Sequence, residues 1–184
     1  MSQGDLTLEL ANEVVDCCAG YGIKTAIIDA VAVAVHGYPR STHDLDLAAA
    51  ADLGALRGAA RDLEARGCVV AFGEPDFDDP LGGVLTISRG DADPVQIVNY
   101  ANPFRPGTGA LAEEAIQNAT VRLESLPVVE LPYLVALKLY AGGAKSKLDV
   151  VELLDRNPSV DRDAIAALCK RYGLDEEWHA LARL

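Results

Sequence analysis

After Pro132 the pattern of the chain changes. Up to that point short runs rich in Val, Ile and Leu alternate with helical stretches. Beyond it, residues 133–140, 148–154, 164–172 and 176–184 all read as helices, with breaks at Gly142-Gly143, Pro158 and Gly173. Strands gathered early and helices gathered late predict an α+β fold rather than a doubly wound parallel sheet. The expected organisation is a mixed β-sheet flanked by helices over residues 1–130, with a C-terminal helical segment, 131–184, packed on it. No internal repeat or low-complexity stretch interrupts this order.

Periodicity fills in the first part. Leu6, Leu10, Val14 and Cys17 form one helical stripe over 6–19, ended by Gly20 and Gly22. Residues 24–28 read as a buried strand. The Ala/Val run 30–35 fits either a strand or a helix, and its small side chains suit a helix pressed against a sheet. Residues 44–49 form a strand carrying two carboxylates. An amphipathic helix follows over 52–66, stopped by Gly67. Strands are expected at 68–72, 84–88 and 95–100, the last two joined by the turn Gly90-Asp91-Ala92-Asp93. A short helix, 110–117, precedes edge strands at 121–123 and 126–129.

Half of the residues are apolar, enough for a core, while 28 acids against 16 bases give a net charge of −12. Such a balance excludes a broad basic face for nucleic acid, whose affinity comes largely from Lys and Arg neutralising phosphates. No apolar run approaches the roughly 20 residues that span a bilayer, so no membrane partner is expected. The N-terminus lacks the basic and apolar regions of a secretion signal. Cys17, Cys18, Cys68 and Cys169 form no C-x-x-C pair and sit mostly among apolar neighbours. Reduced core thiols, and hence a cytoplasmic protein, follow from that pattern.

The segment from His36 to Leu47, HGYPRSTHDLDL, holds the chemistry. On a strand, residues i and i+2 share a face with Cα atoms roughly 6.5 Å apart. Asp44 and Asp46 can therefore converge on one site while Leu45 and Leu47 enter the core. Two close carboxylates repel unless a cation sits between them, and Mg²⁺ takes one or two carboxylates together with water and phosphate oxygens. Arg40 could hold a phosphate through its bidentate fork. By itself, Asp-x-Asp also fits the solvated face of an edge strand.

The longer pattern Ala34, His36, Gly37, Arg40, Thr42, Asp44, Asp46 resembles the minimal nucleotidyltransferases of prokaryotes, in the abortive-infection toxin-like and uncharacterised branches of the DNA polymerase β-like superfamily. The run Leu137-Lys138-Leu139, followed by Lys145 and Asp149, is similar to that family's helical segment. The resemblance implies a nucleotidyltransferase-like sheet and a Mg²⁺-dependent transfer of a nucleotidyl group from an NTP to a hydroxyl acceptor. It implies Asp44 and Asp46 as catalytic metal ligands, with a third ligand where Gln96 stands, and Arg40, Thr42, Lys138 and Lys145 at the nucleotide. The acceptor stays open among a small molecule, a protein and RNA; a tRNA end could be held by Arg40, Lys138, Lys145 and Lys147. The apolar C-terminal helices could cover a partner in a homodimer.

Two departures accompany the resemblance. The family's Gly-Gly or Gly-Ser turn is replaced by Asp29-Ala30, and its third strand carboxylate by Gln96. Glycine lets backbone N–H groups approach phosphates, whereas an aspartate repels them unless it turns away or binds metal itself. Asp29 could also supply the missing third charge. A catalytically silent module that binds nucleotide or a partner on the same fold is the competing expectation.

Overall fold

Strand β2 (Leu45–Ala49) lies inside a seven-stranded sheet and is buried along its whole length. The computed structural model of the chain describes residues 2–105, 107 and 109–181. β2 runs antiparallel to β1 (Thr25–Ile27) on one side and parallel to β5 (Val95–Asn99) on the other. Beyond β5 come β4 (Val84–Ser88) and β3 (Val69–Gly73), both paired antiparallel. Beyond β1 come β7 (Leu126–Val128), parallel to it, and β6 (Val121–Leu123), antiparallel to β7. The order β3-β4-β5-β2-β1-β7-β6 is the mixed sheet expected for an α+β chain.

Helices cover the sheet. Helix α1 (Gln3–Gly20) packs on β5, β7 and α3 (Leu53–Ala65), and α3 packs on β3. Leu47 and Ile97, opposite each other in the β2–β5 register, are both fully buried; burial of such side chains stabilises by roughly 2–3 kcal/mol each. Alternation then turns Asp46, Gln96 and Val98 to the other face. There α2 (Asp29–Val35) packs on β2, and α4 (Ala110–Gln117) contacts β2 as well. Helix α5 (Leu131–Ala141) packs against α2, α4, α6 (Gly143–Arg156) and α7 (Arg162–Arg171), and α8 (Asp175–Leu181) closes on α7.

Local chemistry explains the helix ends. α1 starts at Gln3 rather than Leu6 because Ser2 and Asp5 form a reciprocal capping box. Asp52 and Asp161 cap α3 and α7 through the amides of Ala55 and Ala164. α5 starts ahead of Pro132, which is tolerated in a first turn where its missing N–H has no partner to lose. Gly142 and Gly143, both at positive φ, separate α5 from α6. α6 therefore begins five residues before the stretch expected from periodicity, and it takes in Lys145 and Lys147. The expected end of the last helix, 182–184, lies outside the described residues. The Ala/Val run is the helix α2, as its small side chains suggested.

Asn99 ties the far end of the β2–β5 pair to its loops. It is fully buried; its Oδ1 accepts from the Ala51 amide at 2.9 Å, and its Nδ2 donates to the carbonyls of Ala51 and Gly82 at 3.0 Å. Gly82 is required there, because a Cβ would stand 2.2 Å from the Ala101 carbonyl oxygen.

Candidate active site

The Ile28 amide donates to the Asp46 carbonyl at 2.9 Å. This bond fixes the turn from β1 into α2 beside β2, and it brings Asp29 alongside Asp46. Asp46 is buried at 9% exposure, directly opposite Gln96 in the parallel register. Asp44, the residue before β2, is half-buried. Its carboxylate accepts from the Thr42 hydroxyl at 2.6 Å and from Gln96 Nε2 at 3.4 Å. Thr42 therefore orients Asp44. The structure brings Asp44, Asp46, Thr42 and Gln96 into one corner.

The electrostatics of this corner are unfavourable to a second negative charge. Burial first, then the neighbouring carboxylates of Asp44 and Asp29, push Asp46 up to about 7, with Lys138 and Lys145 pulling the other way. A buried carboxyl beside a second carboxylate offers hard oxygen donors of the kind that Mg²⁺ takes, while Gln96 presents its Nε2 to this corner. Among the described residues, no three His, Cys, Asp or Glu side chains gather as a metal cluster. The oxygen donors available to a cation are the two carboxylates, and the Gln96 amide could add its oxygen only by turning over.

Asp46 and Asp29 open on a cleft of about 200 Å³, walled by Tyr100, Leu137, Lys138 and Ser146. The Tyr100 hydroxyl is pushed well above the usual phenol range, by burial first and then by Asp29 and Asp46. Sequence reasoning missed Tyr100. The alternation Gln96, Val98, Tyr100 along β5 was the signal that places it on this face.

Beside the cleft, two cations meet two carboxylates. Arg40 Nη2 donates to Asp29 Oδ1 at 2.8 Å, and Arg40 Nε lies 3.2 Å from Asp149 Oδ1 without hydrogen-bond geometry. Lys138 Nζ donates to Asp29 Oδ1 and forms an ion pair with Asp149 Oδ2 at 2.7 Å. Asp149 and Lys138 are buried and the Asp29 side chain is 40% exposed. Asp29 also holds φ +51°, a left-handed conformation that costs a non-glycine residue roughly 1 kcal/mol. Arg40 and Lys138, read from sequence as phosphate-facing groups, thus already hold carboxylates of the chain. Lys145 is exposed on the first turns of α6, close enough to act on Asp46 but outside this cluster. Among the described residues, no helix is long and apolar enough to cross a membrane.

No family model matches this sequence, and no curated protein matches it. Solved structures do. The antibiotic-resistance factor ANT(2'')-Ia, in its solution structure, superposes with a TM-score of 0.57 at 14% identity, over 97% of this chain and 96% of its own. A crystal structure of ANT(2'')-Ia in complex with adenylyl-2''-tobramycin gives a TM-score of 0.53 at 14% identity, over 89% of this chain and 97% of its own. An antigenic nucleotidyltransferase-like protein from Paracoccidioides brasiliensis gives 0.50 at 17% identity, over 97% and 92%. At these identities the likeness is one of architecture, and the architecture is the nucleotidyltransferase fold.

Proposed function

We propose that this protein transfers a nucleotidyl group from an NTP to a hydroxyl acceptor, with Asp44 and Asp46 holding Mg²⁺ and Gln96 joining them once its amide turns its oxygen toward the ion. The observation that carries the reading is the position of Asp46: buried, its charge unmet, at the wall of a cleft, with Asp44 and Gln96 beside it on a nucleotidyltransferase fold. Mg²⁺ at this corner would supply positive charge at the attacking and leaving oxygens of an in-line displacement. Thr42 orients Asp44 through its hydroxyl. Lys138, with Arg40 behind Asp29 next to it, offers cationic donors for phosphate oxygens, and Leu137 with the Tyr100 ring offers an apolar wall for a base or sugar. The net charge of −12 favours a neutral or cationic small acceptor over RNA. ANT(2'')-Ia, of the same architecture, is seen in complex with an adenylylated small molecule, adenylyl-2''-tobramycin.

One observation favours a second reading, a silent nucleotide-binding module. Asp29 and Asp149 already neutralise Arg40 and Lys138. Incubation with α-labelled NTPs, Mg²⁺ and a panel of small hydroxylated acceptors separates the two. Label transfer that disappears in Asp46→Asn supports the enzyme. Saturable Mg²⁺-dependent NTP binding without any transfer supports the silent module, and no nucleotide binding at all overturns both.

A further inference from the structure

The four charged groups beside the cleft are not equivalent. Asp149 is 2% exposed and approaches both Arg40 and Lys138 from within the α5–α6 packing. Asp29 meets the same two cations from the cleft side, with its side chain 40% exposed. The cluster carries two positive charges. Asp149 balances one of them permanently, because removing it would strand charge in a buried site. The other is balanced by a carboxylate that solvent and cleft contents can reach. That carboxylate is also held on a strained backbone, at φ +51°.

We propose that Asp29 competes with the ligand's phosphate groups for Arg40 and Lys138, so that it sets the affinity of the cleft for polyphosphate. This rests on the reading of the cleft as a nucleotide-binding site. A phosphate oxygen entering along Lys138 replaces the Asp29 carboxylate and meets the same Nη2 and Nζ donors, with Asp149 remaining as the fixed counterion. Asp29 is thus an affinity-determining residue: its carboxylate makes binding an exchange of anions rather than a simple addition. The exchange disfavours weak anions such as a single inorganic phosphate and retains those carrying several charges.

Two substitutions tolerate the left-handed backbone, Asp29→Asn and Asp29→Gly, so both are expected to fold, which a thermal melt checks. Metal-free titration calorimetry with inorganic tripolyphosphate reads the affinity directly. Both variants should bind about tenfold more tightly than wild type, the gain expected when a competing charge is removed at contact distance. Adding Lys138→Gln to Asp29→Asn should abolish the gain, and Asp16→Asn, which removes a charge from exposed α1, should give none. Unchanged or weaker binding in both Asp29 variants overturns the proposal. So does a gain of equal size in Asp16→Asn, or one that survives Lys138→Gln. The readout is independent of catalysis. Tighter binding with no nucleotidyl transfer to any acceptor would sink the enzyme reading and leave this inference standing; unchanged binding beside Asp46-dependent transfer would do the reverse.

Discussion

Asp46 and Gln96 stand opposite each other at one register position of a parallel strand pair, and the Gln96 amide reaches on to Asp44. On the proposed reading, a neutral amide therefore occupies the place where a further carboxylate could share the cation of Asp44 and Asp46. Gln96→Glu should tighten Mg²⁺ binding by about tenfold, since a full charge replaces a carbonyl dipole at a hard-ion site. Without metal the same change should raise Asp46 further. Calorimetric Mg²⁺ titration checks the first effect, and carboxyl-detected NMR the second.

The raised Asp46 makes metal-free stability depend on pH. Its carboxyl titrates from 3.8 in the unfolded chain to about 7 in the native protein, because of burial first and then Asp44 and Asp29. Between those values the native state holds a proton that the unfolded state has released. The stabilising contribution is full below about pH 4 and gone by about pH 7. Asp46→Asn should therefore raise stability at pH 8 by about 2–4 kcal/mol and change it little at pH 4. Urea melts at the two pH values measure this. Mg²⁺ should reverse the trend, protecting wild type at pH 8 and leaving Asp46→Asn unprotected.

Asp149 gives a prediction of opposite sign. Asp149→Asn leaves Arg40 and Lys138 sharing the single exposed carboxylate of Asp29, at a cost of about 3 kcal/mol. Replacing the buried pair together, Lys138→Met with Asp149→Leu, should recover most of that loss, because no stranded charge remains. Chemical denaturation of the single and double variants decides it. Equal losses in both would show that the pair acts through packing instead.

The glycine-flanked loops at the far end of the sheet depend on one amide. Asn99→Ala removes the partners of the Ala51 amide and of the Ala51 and Gly82 carbonyls in a fully buried place. A loss of about 2–4 kcal/mol is expected, together with faster amide exchange at Ala51 and Gly82 and little change in Mg²⁺ affinity at Asp46.

The turning of Asp46 to the opposite face from Leu45 and Leu47 was legible in the sequence because it is local, whereas Asp44 lies just before the strand that the sequence suggested it would open. The helix nature of Ala30 to Val35 was legible from side-chain size. The fate of Arg40 was not. Its partners Asp29 and Asp149 lie 11 and 109 positions away, and only the docking of α6 on α5 brings the second one in. Tyr100 needed the β5 register, and the early start of α6 needed two glycines at positive φ, which sequence reads simply as a break. Long-range pairing, rather than local preference, made these features invisible.

That same parallel pairing has a consequence for the order in which the cleft comes into being. Asp46 meets Gln96 only after the chain between them has folded back, and the Asp29–Lys138 contact closes a span of 109 residues. Loops of that length form late and slowly. A nascent chain still lacking α5 and α6 has Asp29, Arg40 and the acidic corner but neither Lys138 nor Asp149. The wall that Leu134, Leu137 and Lys138 give the cleft is therefore added only when α5 docks, which makes that docking the closing step of its assembly.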